Sequence, residues 1–128
     1  MPWQPMKKHV RPLGDEATVA IGSGGAIYLN AFAMVNYFKS VPAVIILHDA
    51  DAKRLGIKPA KLNEEDAFRL AFSNRTASTG VIAARSVVKQ LNLNYQENTL
   101  FYTGVWNPEL GVLEIDLTSY RAKPRRLR

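Results

Sequence analysis

Apolar and polar positions alternate from Ala17 to Ile21, where Val19 and Ile21 are set off by Thr18 and Ala20. This is the period-two signature of a half-buried strand. Gly22-Ser23-Gly24-Gly25 then turns the chain, and Ile27 and Leu29 alternate with Tyr28 in a second strand. Asn30 is placed to cap a helix, its side-chain oxygen accepting a free amide of the first turn. Behind it Ala31, Met34, Val35 and Phe38 recur at i, i+3, i+4 and i+7, with Phe32 and Tyr37 broadening the apolar stripe. Pro42 is expected to stop this helix. Ala43 to Leu47 is a continuous apolar run, read as a strand covered on both faces. Asp49 to Lys53 supplies a turn, and Leu55 and Ile57 return as a strand that Pro59 ends.

A looser version of the same order follows. Ala60 to Asp66 reads as a linker. Phe68, Leu70 and Phe72 alternate around Arg69 and Ala71, which favours a strand over the helix suggested by the acids Glu64, Glu65 and Asp66. Residues 74–80 form a polar turn and 81–83 a short strand. Ala84, Val87, Val88 and Leu91 again mark a helix face. Thr99 to Trp106 is a strand rich in aromatics, 107–111 a five-residue turn, and Leu113, Ile115 and Leu117 alternate with Glu114 and Asp116 in a last, half-exposed strand.

The reading is an α+β fold of tandem ββαββ units, 17–59 and 67–117, within a single domain spanning 17–120. Repetition at this scale implies two equivalent units that complete one core, since a lone unit leaves an apolar sheet face in water. The expected core is Val19, Ile21, Ile27, Leu29, Val35, Phe38, Ile45, Leu70, Ile82, Val88, Leu91, Phe101, Leu113 and Ile115.

Charge adds a second layer. The 128 residues carry 17 basic and 11 acidic side chains, for a net charge of +6. An N-terminal arm (1–16) opens with Lys7, Lys8 and Arg11, without an acid among its first eleven residues. A C-terminal tail (121–128) holds Arg121, Lys123, Arg125, Arg126 and Arg128, also without an acid. Residues 12–120 hold nine basic and eleven acidic side chains. Basic arms of this kind track phosphates, or serve as solvated tails that keep a protein soluble. On the body, Arg69, Arg75, Arg85 and Lys89 belong to one unit and are able to share a face. Arg75 lies in a polar turn suited to reaching a phosphate or a base edge.

Other chemistry is thin. With no cysteine, disulfides and thiolate chemistry are excluded. No apolar run approaches the roughly 20 residues of a membrane-spanning helix. The opening segment lacks the apolar core of a secretory signal, so the chain reads as cytoplasmic, with no membrane partner. The glycine turn is followed by a strand pattern rather than a helix, and no Lys-Ser/Thr pair follows it, so it reads as a hairpin and not a phosphate cradle. His48, Asp49 and Asp51 read as a turn rather than a metal site. No nucleophile stands beside a base. The chain is therefore read as non-enzymatic, with no catalytic residue, no metal and no cofactor.

At Gly25-Ala26-Ile27-Tyr28-Leu29-Asn30 and the helix behind it, the chain resembles the AbrB-like swapped-hairpin family, which includes MraZ-type regulators and MazE-type antitoxins. The family pattern is Gly, one residue, a β-branched apolar, one residue, an apolar, then proline opening a short helix. Gly25, Ile27 and Leu29 match, with Asn30 at the proline position; Gly80, Ile82 and Ala84 match in the second unit, with Arg85 at that place. Where the family has a basic residue after the glycine, this chain has Ala26 and Val81. The resemblance implies a pseudo-dimeric, swapped-hairpin-like β-barrel covering 17–117. It also implies a DNA-binding regulator or antitoxin acting on double-stranded DNA, with a partner protein or as a homodimer. The expected nucleic-acid-binding residues are Arg75, Arg85, Lys89, Arg121, Lys123, Arg125, Arg126 and Arg128. The alternative is a module that binds a protein or small ligand and not DNA.

Overall fold

A computed structural model describes residues 16–72, 78–91, 93 and 98–124. The strands are β1 (Ala17–Ile21), β2 (Ala26–Leu29), β3 (Ala43–Asp49), β4 (Arg54–Ala60), β5 (Ala67–Phe72), β6 (Gly80–Ala83), β7 (Asn98–Asn107), β8 (Val112–Asp116) and β9 (Tyr120–Pro124). Two short helices, α1 (Ala31–Asn36) and α2 (Arg85–Val88), follow β2 and β6. Strands run in the order β1-β2-β6-β5-β3-β4-β8-β7, and β7 returns to β1, closing an eight-stranded antiparallel barrel. Closure removes the exposed edges that an open sheet of this length would present. The expected barrel is present. The protein is mostly β, and with helices of six and four residues it has less helix than the expected α+β class implies.

Alternation along each strand decides what faces inward. Val19 and Ile21 of β1, Ile27 and Leu29 of β2, Leu55 and Ile57 of β4, Ile82 of β6, Leu100 and Tyr102 of β7 and Leu113 and Ile115 of β8 fill the interior. Each such aliphatic side chain contributes about 1.5–3 kcal/mol by leaving water. Phe38 closes the core from the segment after α1. Asn30 caps α1 as expected, its Oδ1 accepting the Ala33 amide at 3.0 Å. Its Nδ2 also donates to the Glu16 carbonyl at 3.1 Å, tying the helix start to the entry of β1.

Four expected core positions are corrected. Val35 is 55% exposed, because α1 buries Ala33 and Met34 instead. Ile45 and Phe101 stand out of phase with the buried Val44, Leu100 and Tyr102, so both are only half-buried. Leu91 is also half-buried, beside the core. In β3 and β7 both faces of the strand carry apolar residues, and a period-two pattern then has no parity to read. Nor is β3 covered on both faces throughout, since Leu47 is exposed where the strand runs out into its hairpin. The helix ends at Asn36, well before Pro42, where Tyr37 leaves helical dihedrals and its ring stacks on Trp106 with centroids 4.7 Å apart.

β7 is the longest strand because it serves three partners. Residues 100–104 pair with β1, 105–107 with β8, and 98–102 with β9 on the edge that β8 leaves. The chain crosses from β8 to β9 through a turn pinned by Asp116, whose Oδ1 accepts the Thr118 amide at 2.9 Å and its hydroxyl at 2.7 Å. Those two bonds hold the Asp116 carboxyl below its ordinary value. β9 occupies the first positions of the segment read as a basic tail.

Candidate nucleic-acid interface

Charge is segregated around the barrel. β1, β2, β5, β6, β9, the first half of β7 and α2 carry Arg69, Arg85, Lys89, Arg121 and Lys123, with Glu16 at the entry of β1 and Glu64, Glu65 and Asp66 in the connection that leads into β5. β3, β4, β8 and their connecting turns carry Asp49, Asp51, Glu109, Glu114 and Asp116 against Lys53, Arg54 and Lys58. Among the described residues the one ion pair is Arg54–Glu114, at 3.6 Å, on the acidic side. On the basic side no described carboxylate neutralises Arg69, Arg85, Lys89 or Arg121. Such an imbalance creates a local positive field even where the body as a whole is nearly neutral.

Four of the expected binding residues belong to the elements of this side. Arg85 opens α2, and Lys89 follows one helical turn later; both are exposed. Arg121 is exposed on β9, paired in register with Phe101 of β7. The backbone of Lys123 pairs with Thr99. Arg75, Arg125, Arg126 and Arg128 lie outside the described residues.

The glycine segment behaves as a hairpin turn. Gly22 donates its amide to the Ala26 carbonyl at 3.0 Å, and Gly25 donates to the Gly22 carbonyl at 3.1 Å. Two of the amides a phosphate cradle would use are thus spent inside the turn. Gly24 and Gly25 have φ of 73° and 78°, a region only glycine enters without cost. A Cβ at Gly25 would lie 2.9 Å from the Arg85 Cα, so the turn packs directly on α2. Asp49 likewise acts as a turn residue, its Oδ1 accepting the Ala52 amide at 3.1 Å. Among the described residues no group of three His, Asp or Glu side chains converges as a metal site, and no helix is long and apolar enough to cross a membrane.

Sequence reasoning missed one feature. On the outward face of the basic side, Tyr28, Ala20, Phe101 and Arg121 form one cross-strand row, since Ala20 pairs with Tyr28 and with Phe101, and Phe101 pairs with Arg121. Ala20 points away from the core yet is only 9% exposed, which fits two rings leaning over it from the neighbouring strands. The available signal was Tyr28 standing opposite in parity to Ile27 and Leu29. Phe101 carried none, because it was counted as core.

No protein-family model matches the chain, and no curated protein or solved structure matches it.

Proposed function

We propose that the protein is a small, non-enzymatic, cytoplasmic DNA-binding regulator of the swapped-hairpin type, built from two ββαββ halves. Support for the halves lies in the pairing scheme. Exchanging β1, β2, β3 and β4 for β5, β6, β7 and β8 turns β1–β2 into β5–β6, β3–β4 into β7–β8 and β3–β5 into β1–β7, while β2–β6 and β4–β8 map onto themselves. The hairpins also dock crosswise. Gly25, in the first turn, packs on Arg85 of α2, and a Cβ at Gly80, entering β6, would meet the Met34 sulfur of α1.

The observation that carries DNA binding is the basic side, where Arg85, Lys89 and Arg121 face solvent without a described acidic partner. Unpaired cations on one face release counterions when they meet a polyanion, which gives affinity that falls with salt. The test is fluorescence anisotropy of mixed-sequence duplex DNA across a salt series. Replacing both Arg85 and Lys89 by Glu is expected to flatten the log–log salt dependence by about 2, while Lys58→Glu on the acidic side leaves it unchanged. Absence of duplex binding at low salt refutes the proposal.

A second reading draws on a groove of about 510 Å³ lined by Met34, Val35, Phe38, Lys39, Ser40 and Phe72, in which Val35 and Phe72 are more than half exposed. An apolar groove with one cationic rim residue suits a protein segment or a small ligand. This reading takes precedence if DNA fails to bind and Val35→Asp abolishes a self-association seen by sedimentation.

A further inference from the structure

Between the two groups of cations lies a nearly bare sheet surface. Ala20, Ala26, Ala71 and Ala83 point outward from β1, β2, β5 and β6, in phase opposite to the buried Ile21, Ile27, Leu70 and Ile82. Three larger side chains break this ground: the two rings Tyr28 and Phe101, one on each side of Ala20, and Val81 of β6 beside Tyr28. Gly22 gives the Tyr28 ring its seat, since a Cβ there would lie 3.1 Å from the ring edge. Past Phe101 stands the exposed Arg121, and past the glycine turn that seats Tyr28 stands Arg85.

We infer that this face binds single-stranded nucleic acid, stacking unpaired bases on Tyr28 and Phe101 and holding the phosphates with Arg121 and Arg85. The inference rests on the nucleic-acid reading above and goes beyond it in strand state. Every base has a π-face, so an aromatic ring set in a cationic surface is the sequence-tolerant way to hold an unpaired strand. A duplex cannot use the rings. Tyr28 and Phe101 are two strand spacings apart, roughly 10 Å, whereas bases in a duplex are stacked on each other about 3.4 Å apart and present only their edges. Charge complementarity favours a polyanion over an apolar partner, since the cross-strand row from Ala71 through Val81, Tyr28, Ala20 and Phe101 ends in Arg121 and holds no acid.

The experiment compares a mixed-sequence single-stranded oligodeoxynucleotide of about 12 nucleotides, within the usual site size, with its duplex, titrated against the full chain and its variants. Tyr28→Leu and Phe101→Leu keep apolar cover over Ala20 but remove the ring. Each is expected to weaken single-strand binding by roughly 5- to 150-fold, the equivalent of one lost stack, while duplex binding stays within about twofold; Tyr28→Phe restores wild-type affinity. Arg121→Glu, on an exposed position of β9, weakens both ligands and serves if a leucine variant melts early. Equal losses on both ligands, or single-strand affinity untouched by either leucine variant, overturn the inference but leave the DNA reading standing. Failure of both ligands to bind the wild-type chain at low salt overturns both.

Discussion

Gly25 and Arg85 touch across the two halves of the chain: a Cβ placed on Gly25 would sit 2.9 Å from the Arg85 Cα and 3.2 Å from its Cβ. Gly24, one residue earlier, has the same left-handed backbone but open space around it. The two positions therefore separate backbone strain from steric conflict. Gly24→Ala is expected to cost about 1–2 kcal/mol, the penalty of positive φ alone. Gly25→Ala adds a clash with backbone that cannot swing away, for roughly 2–5 kcal/mol in all. Urea unfolding of the two variants checks this, and equal losses would mean that the turn does not bear on α2.

The Tyr37–Trp106 stack fastens the end of α1 to the outer half of β7, with rings 4.7 Å apart and 5° from parallel. Phe38 meets the same indole edge-on at 6.4 Å. A double-mutant cycle with Tyr37→Leu and Trp106→Leu is expected to give a coupling of about 0.5–1.5 kcal/mol beyond lost area. Additive losses would show that the rings are neighbours without specific interaction.

Much of this architecture was legible in the chain. Strands with one polar face, such as Leu113-Glu114-Ile115-Asp116-Leu117, declare their inward side, and Phe68 to Phe72 settled as a strand against the local helix signal of Glu64 to Asp66. Asn30 declared its cap in the same way. What stayed hidden depended on partners distant in sequence. The inward choice of Leu100 and Tyr102 over Phe101 is made by register with β1, and the exposure of Val35 by the brevity of α1. β9 has only two apolar residues, Tyr120 and Ala122, and forms because β8 leaves an edge of β7 uncovered. At the candidate interface, charge alone singles out Arg85, Lys89 and Arg121. Tyr28 and Phe101 become a pair only when closure of the barrel brings β7 beside β1.

Tyr102 offers a pH test. Its side chain is buried in the barrel, and its hydroxyl has no hydrogen-bond partner among the described residues. Burial, with a smaller effect from Tyr120 nearby, pushes the phenol up to about 12 from 10.0. The folded state thus favours the protonated form. That contribution to stability is complete below pH 10 and is lost as pH rises through about 12. Tyr102→Phe removes both the orphan hydroxyl and the ionisation. Its stability at neutral pH is expected to rise by about 1 kcal/mol, and the alkaline decline between 10 and 12 to become shallower. A variant less stable than wild type at pH 7 would reveal a partner for the hydroxyl.

The contribution of the terminal cations depends on where the chain is cut. Removal from Arg121 onward would delete all of β9 but Tyr120 together with the charges, stripping Ala122 from beside Leu100. Any loss of DNA binding would then mix unfolding with electrostatics. Cutting after Pro124 keeps β9 whole and removes Arg125, Arg126 and Arg128. Each phosphate contact contributes about 0.9 to the log–log salt slope on duplex DNA, so three arginines account for at most about 2.7. Replacing Arg85 and Lys89 together removes at most about 2 by the same reasoning. If arms and body face act together, the slopes lost in the two variants add, and the combined variant keeps only the slope due to Arg121 and the remaining cations. If the truncated chain keeps the full slope, the terminal arginines do not touch DNA, and binding belongs to the folded face carrying Arg85, Lys89 and Arg121.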